Sequence, residues 1–168
     1  MKINMRLVAL FTAAVALAAG FYIVQQASAP ESSIIAREKK RIAASFDKSR
    51  VEKDPVYAIE FQDKLQVLDY RLAMAYKSED KPDAAIAVLQ KLIADEEGGS
   101  SQGGVRRSAS YLKEVRYYDA LQALYGMKHD EAAAERAMER RNDLMARAEA
   151  AKRRERMEEG KSIGVGGE

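Results

Sequence analysis

The chain has no cysteine and no tryptophan, and only one histidine and three prolines among 168 residues. Without cysteine there is no disulfide, no thiolate metal site and no lipid-modified N-terminal cysteine. The lone histidine, His129, falls in a polar turn beside Asp130. One imidazole is too few for a transition-metal site, and nothing converges on it for acid–base work. Phosphate-loop, nucleophile-elbow and dinucleotide fingerprints are missing, and the glycine run at 98–104 lacks a phosphate-binding lysine. No catalytic residue, cofactor or metal is therefore assigned, no small-molecule substrate is expected, and the chain does not read as an enzyme.

Charge of one sign is also lacking. Setting aside Lys2 and Arg6 leaves 26 basic residues against 26 acidic ones, so the body has no net field to draw a polyanion. The arginine-rich C-terminal stretch follows the same rule. From Asp130 onward nine basic residues are interleaved with ten acidic ones. Pairs such as Asp143/Arg147 and Glu149/Arg153 place the acid four residues ahead of the base, the order that stabilises a solvated helix. Nucleic acid is not an expected partner.

What the chain does have is alanine and helical periodicity. Hydrophobic residues make up 47% of it while aromatics are only 7%, a balance that favours an all-helical class. Residues 1–29 stand apart. Lys2 and Arg6 precede the uncharged run Leu7–Val24, and Ala27-Ser28-Ala29 follows as an A-x-A cleavage pattern. As a helix the run would be about 27 Å long, close to the thickness of a bilayer core. Pro30 would be the residue after cleavage, where its ring fits poorly. The segment reads as an uncleaved membrane anchor through residues 7–24, with a removed signal as the alternative. The flanking charges favour a body outside the cytoplasm, periplasmic on a bacterial inner membrane crossed once. A secreted or a cytoplasm-facing body are the alternatives.

Residues 30–53 read as a juxtamembrane linker helix, capped by Ser33 and running to about Phe46, with Ile35, Ile42 and Phe46 on one side. Arg37, Lys39, Lys40, Arg41 and Lys48 form its other face, which suits either anionic lipid heads or plain solvation. Asp54-Pro55 starts the next helix, which runs to about Tyr76 with Ile59, Leu65, Leu68, Leu72 and Tyr76 as its buried stripe. A polar turn follows, with Asp80 as cap for a helix that stops at Gly98. Residues 98–106 read as a flexible linker and a proteolytic nick site. A third helix spans Val105 to Met127. Asp130 caps a long final helix that reaches Glu159, and 160–168 read as a disordered tail.

Within this body one pattern occurs twice. Leu72, Tyr76, Ala85 and Leu89 recur as Leu121, Tyr125, Ala134 and Met138, each 49 residues on. Spacings of four keep side chains on one helix face, and the longer gap steps across a turn to an antiparallel neighbour. Residues 54–97 and 107–159 are thus two helical hairpins of similar design.

These residues resemble the tetratricopeptide family, which places an aliphatic, a small and a tyrosine residue on its first helix and an alanine and a bulky apolar residue on its second. Leu72, Ala73, Tyr76, Ala85 and Leu89 match in the first copy, and Tyr118, Leu121, Tyr125, Ala134 and Met138 in the second. Gln122 stands where the family has its small residue, Arg141 where it prefers alanine, and the late proline is missing. The resemblance implies an all-α, TPR-like fold with a long C-terminal helix, its two hairpins capped by flanking helices. It also implies a concave groove on the first helices, with Tyr70, Met74, Lys77, Arg116, Asp119 and Ala123 as candidates. Such a groove takes an extended peptide or a helix of another protein. The function expected is a membrane-anchored adaptor that helps assemble or retain a membrane complex. A small structural subunit of such a complex, or a secreted helical protein, are the alternatives.

Overall fold

A computed structural model describes residues 29–99 and 106–163; the apolar stretch 7–24, most of the glycine linker and the end of the tail fall outside them. The fold is all-α, and no strand occurs among the described residues. Among the described residues six helices follow in order: α1 (Glu31–Ala44), α2 (Lys48–Lys53), α3 (Pro55–Ser78), α4 (Pro82–Gly99), α5 (Ser108–Met127) and α6 (Glu131–Ile163). Among the described residues no helix is long and apolar enough to cross a membrane.

Two antiparallel hairpins, α3/α4 and α5/α6, form the body. Their turns are copies at the 49-residue offset. The amide of Lys81 donates to the carbonyl of Tyr76 (2.9 Å), and that of Asp130 to the carbonyl of Tyr125 (3.0 Å). Asp80 and His129 occupy the left-handed position, each with φ 57°. This six-to-one bond behind a left-handed residue satisfies carbonyls that a helix end would leave free. Gly126 lies inside α5, which runs on to Met127, and its carbonyl accepts from the His129 amide at 3.1 Å.

The helices share a core. Ala73, Ala85, Leu89, Leu92 and Ile93 of the first hairpin pack with Tyr117, Ala120, Leu121, Leu124 and Ala137 of the second. Ala73 and Ala85 have no exposed surface, as small residues at a close approach should. α1 lies along α3, where Ile35 packs with Leu68, Leu72 and Ala75. Lys39 pairs with buried Asp69. The amide and hydroxyl of Ser32 both donate, at 2.8 Å each, to the carboxylate of Glu79. Phe46 packs on Phe61 with ring centroids 4.7 Å apart, and Arg50 lies 4.5 Å over Tyr57, which closes the α1–α2–α3 corner.

Several local expectations are corrected. α1 begins at Glu31 behind Pro30, so Ser33 is inside its first turn and its hydroxyl donates to the Pro30 carbonyl. That helix ends at Ala44, and the short α2 follows with Asp47 accepting from the Ser49 amide. Asp54 precedes α3 without a capping bond; its carboxylate lies 3.9 Å from Arg50. Asp80 is not the cap of α4, because Pro82 takes the first helical position and leaves Lys81 ahead of it. Ile59 is 66% exposed, since α1 and α2 cover the neighbouring side of α3 at the Phe46, Tyr57 and Phe61 corner.

In the second hairpin Ala134 is only half-buried and Met138 is exposed. The buried stripe of α6 is Ala133, Ala137, Leu144, Ala148 and Ala151, one residue out of phase with the first copy. α4 lies between α3 and α5 and buries two sides, whereas α6 packs chiefly along α5 and buries one. α6 also continues to Ile163, past Gly160 where a tail is expected.

Candidate functional site

The first helices of the two hairpins run parallel and leave a hollow of about 430 Å³ between them. Its floor is a tyrosine pair: the rings of Tyr70 on α3 and Tyr117 on α5 stand 5.8 Å apart, tilted by 38°. Burial first, and the nearby Glu96 carboxylate second, push the Tyr117 hydroxyl up to about 12, so it stays protonated. Lys113 closes one side. Its ammonium sits 2.9 Å from Asp63 and 3.7 Å from Glu96. Burial works against that charge, but the hydrogen bond to Asp63 and the field of Glu96 outweigh it and hold the lysine above its ordinary value.

Gln66, Val67, Arg71 and Arg116 complete the wall. Val67 is 60% exposed on the rim. Neither Arg71 nor Arg116 has an acidic partner among the described residues. The site thus combines an aromatic floor, an aliphatic rim and two open guanidinium groups. That set suits carboxylate-bearing ligands with an apolar side, because a guanidinium fork matches a carboxylate and also tolerates an aromatic neighbour.

Of the six groove residues expected from the sequence, Tyr70 and Arg116 line this hollow. Met74 packs against the main core. Lys77 is half-buried in the last turn of α3, where its carbonyl accepts from the Asp80 amide. Asp119 faces the opposite way and pairs with Arg141 of α6. Ala123 is exposed farther along α5. Asp63, Gln66, Val67, Arg71, Lys113 and Tyr117 were not anticipated. Their signal is a register. Tyr70 faces Tyr117, and Gln66 faces Lys113, at separations of 47 rather than the 49 of the repeat. Matching equivalent positions therefore selects Asp119, while the side chain that meets Tyr70 is two residues earlier.

A second hollow, of about 340 Å³, lies on the far side between α4, α5 and α6, with Tyr118, Tyr125, Arg136 and Arg140 among its lining. Arg140 is tied there to Glu97 at 3.4 Å and to Asp143 at 3.3 Å, so this side offers fewer open donors. Buried charge also occurs away from both hollows, where Glu114 has no exposed surface and pairs with Arg106 ahead of α5. His129 stands exposed at its turn, and no cluster of acids and histidine among the described residues is placed to hold a metal ion. No protein-family model, curated protein or solved structure matches the chain.

Proposed function

We propose that this chain is a tethered helical-hairpin adaptor of the tetratricopeptide type, which captures a segment of another protein in the groove between α3 and α5. The single observation that carries this reading is the pair of guanidinium groups, Arg71 and Arg116, that have no acidic partner among the described residues and lie beside the Tyr70/Tyr117 floor. Exposed arginines beside tyrosines are frequent anchors at protein interfaces. The repeated turn and the parallel first helices support the family resemblance. The uncharged stretch 7–24 supports a membrane tether, which would raise the local concentration of adaptor near a membrane-bound partner.

The test is capture of the partner from solubilised membranes by wild type, Tyr70→Ala and Arg116→Glu. Each substitution is expected to weaken capture roughly tenfold or more, as loss of an interface anchor does, with helix content unchanged. Full capture by both variants with intact helix content sinks the groove. Intact-mass measurement of the membrane-bound protein separates the tethered form, which keeps residues 1–29, from a processed one.

A further inference from the structure

α1 presents two unlike sides. Ser32, Ile35, Lys39 and Ile42 face α3, with Lys39 bound to Asp69. At about 100° per residue, the opposite side carries Ile34, Arg37, Lys40, Arg41 and Ala44. All of these are exposed, Ile34 at 49%. The acids of the helix, Glu31 and Glu38, fall between the two sides. Arg37, Lys40 and Arg41 have no acidic partner among the described residues. On α4 and α6, by contrast, exposed Lys91 is held by Asp95 and exposed Arg147 by Asp143.

The place of α1 in the chain narrows the partner. The uncharged run ends at Val24, and residues 25–30 carry no charge either. Whatever course the chain takes, seven steps at about 3.4 Å each keep Val24 and Glu31 within about 24 Å of one another. We infer that the outer side of α1 lies against the headgroups of an anionic membrane, with Ile34 at the headgroup boundary and Arg37, Lys40 and Arg41 on lipid phosphates. This rests on the tether proposed above and adds the surface by which the body meets the bilayer. A bilayer holding residues 7–24 would keep the start of α1 within that reach, a nearness that an acidic protein in solution lacks. Basic side chains around an apolar one are the pattern of helices that lie in the interface plane. Each cation at an anionic surface strengthens attachment roughly fivefold. It acts only within a Debye length, about 8 Å at physiological salt, so the contact weakens as salt rises.

The chain has no cysteine, so a single introduced one can carry a fluorophore. Ala44→Cys on α1 and Ala146→Cys on α6, both at exposed positions, are labelled with a nitrobenzoxadiazole dye. α6 packs on α5, at the other end of the fold from α1. The full chain is reconstituted into vesicles of phosphatidylcholine, or of equal parts phosphatidylcholine and phosphatidylglycerol, each containing a lipid with a nitroxide on its headgroup. Quenching at the Ala44 position is expected to be at least roughly threefold greater in the anionic vesicles and to lose that excess in high salt. The label at the Ala146 position is expected to show no such difference. Combined Arg37→Glu, Lys40→Glu and Arg41→Glu, with Lys39 kept to hold α1 on α3, is expected to abolish the excess while helix content stays unchanged.

Equal quenching in the two vesicles, an excess that survives charge reversal, or the same excess at the Ala146 position overturns the inference. If Ala44→Cys left unlabelled forms disulfide dimers and the labelled protein shows no quenching, this side belongs to a second copy and the inference also falls. Failure of the tether reads differently, because the protein then washes off phosphatidylcholine vesicles. In that case, retention on anionic vesicles that charge reversal abolishes leaves the α1 surface standing, and no retention on either kind overturns both.

Discussion

At the scale of single residues, the two turns show how the same backbone is reached from different side chains. Asp80 and His129 both adopt the left-handed conformation, where a Cβ crowds the neighbouring carbonyl. Glycine relieves that crowding but gains freedom in the unfolded chain, which offsets part of the benefit. His129→Gly is therefore expected to stabilise the protein by about 0.5–1 kcal/mol. The check is a urea titration in which the midpoint rises and the slope does not change. Asp130 was legible as a cap, and its carboxylate does accept from the Ala133 amide at 3.0 Å. Asp80 carries the same chemistry in the sequence but sits one position too early, because Pro82 fixes where α4 begins. The phase of a helix start is set by the strongest local constraint, and proline overrides a carboxylate. Buried Asp69 and Glu114 were not legible at all, since their partners Lys39 and Arg106 come from other segments of the chain.

At the scale of elements, a carboxylate on a serine-headed helix start is used twice. Glu79 receives both donors of Ser32 at the start of α1, and Glu155 of α6 receives both donors of Ser108 at the start of α5, each at 2.8 Å. The hydrogen bond from Lys81, and then the amide of Ser32, pull Glu79 from 4.5 down to about 2. A carboxylate whose folded value lies below its unfolded one stabilises the fold above the unfolded value. That contribution is lost as pH falls from 4.5 through about 2. Wild type is thus expected to lose more stability across this window than Glu79→Gln, and the difference between their denaturation midpoints should shrink as pH falls. A difference that stays constant would mean that α1 docking is not linked to this proton. The order and approximate bounds of the long helices were readable, because Pro55 and Pro82 mark two of the starts and helical propensity summed over long alanine-rich windows is informative. Which face of each helix is buried was less readable. Ile59 and Met138 look like core by spacing, yet they are exposed, since burial depends on how many neighbours a helix has.

For the whole molecule, the shared core argues that the hairpins are one cooperative body. Leu89 and Leu92 of α4 pack in the same cluster as Tyr117 and Leu124 of α5. Cleavage at a protease site placed between Gly99 and Arg106 is expected to leave both fragments in one complex on gel filtration. Separation into two species would mean that the hairpins are independent. Of the groove lining only Tyr70 and Arg116 were legible. The rest depends on how far one hairpin slides along the next, which is fixed by packing between elements and leaves no local trace in the residues.

α1 runs back along α3, so the chain enters the body beside Glu79, at the turn end of the first hairpin. Val67 is twelve residues up α3 from there, about 18 Å at 1.5 Å per residue. Anything that grips the protein ahead of Ala29 holds it by that end. A leash at this point would hold the molecule by the turn end of the first hairpin, and the hollow beside Val67 would lie about 18 Å along α3 from the grip.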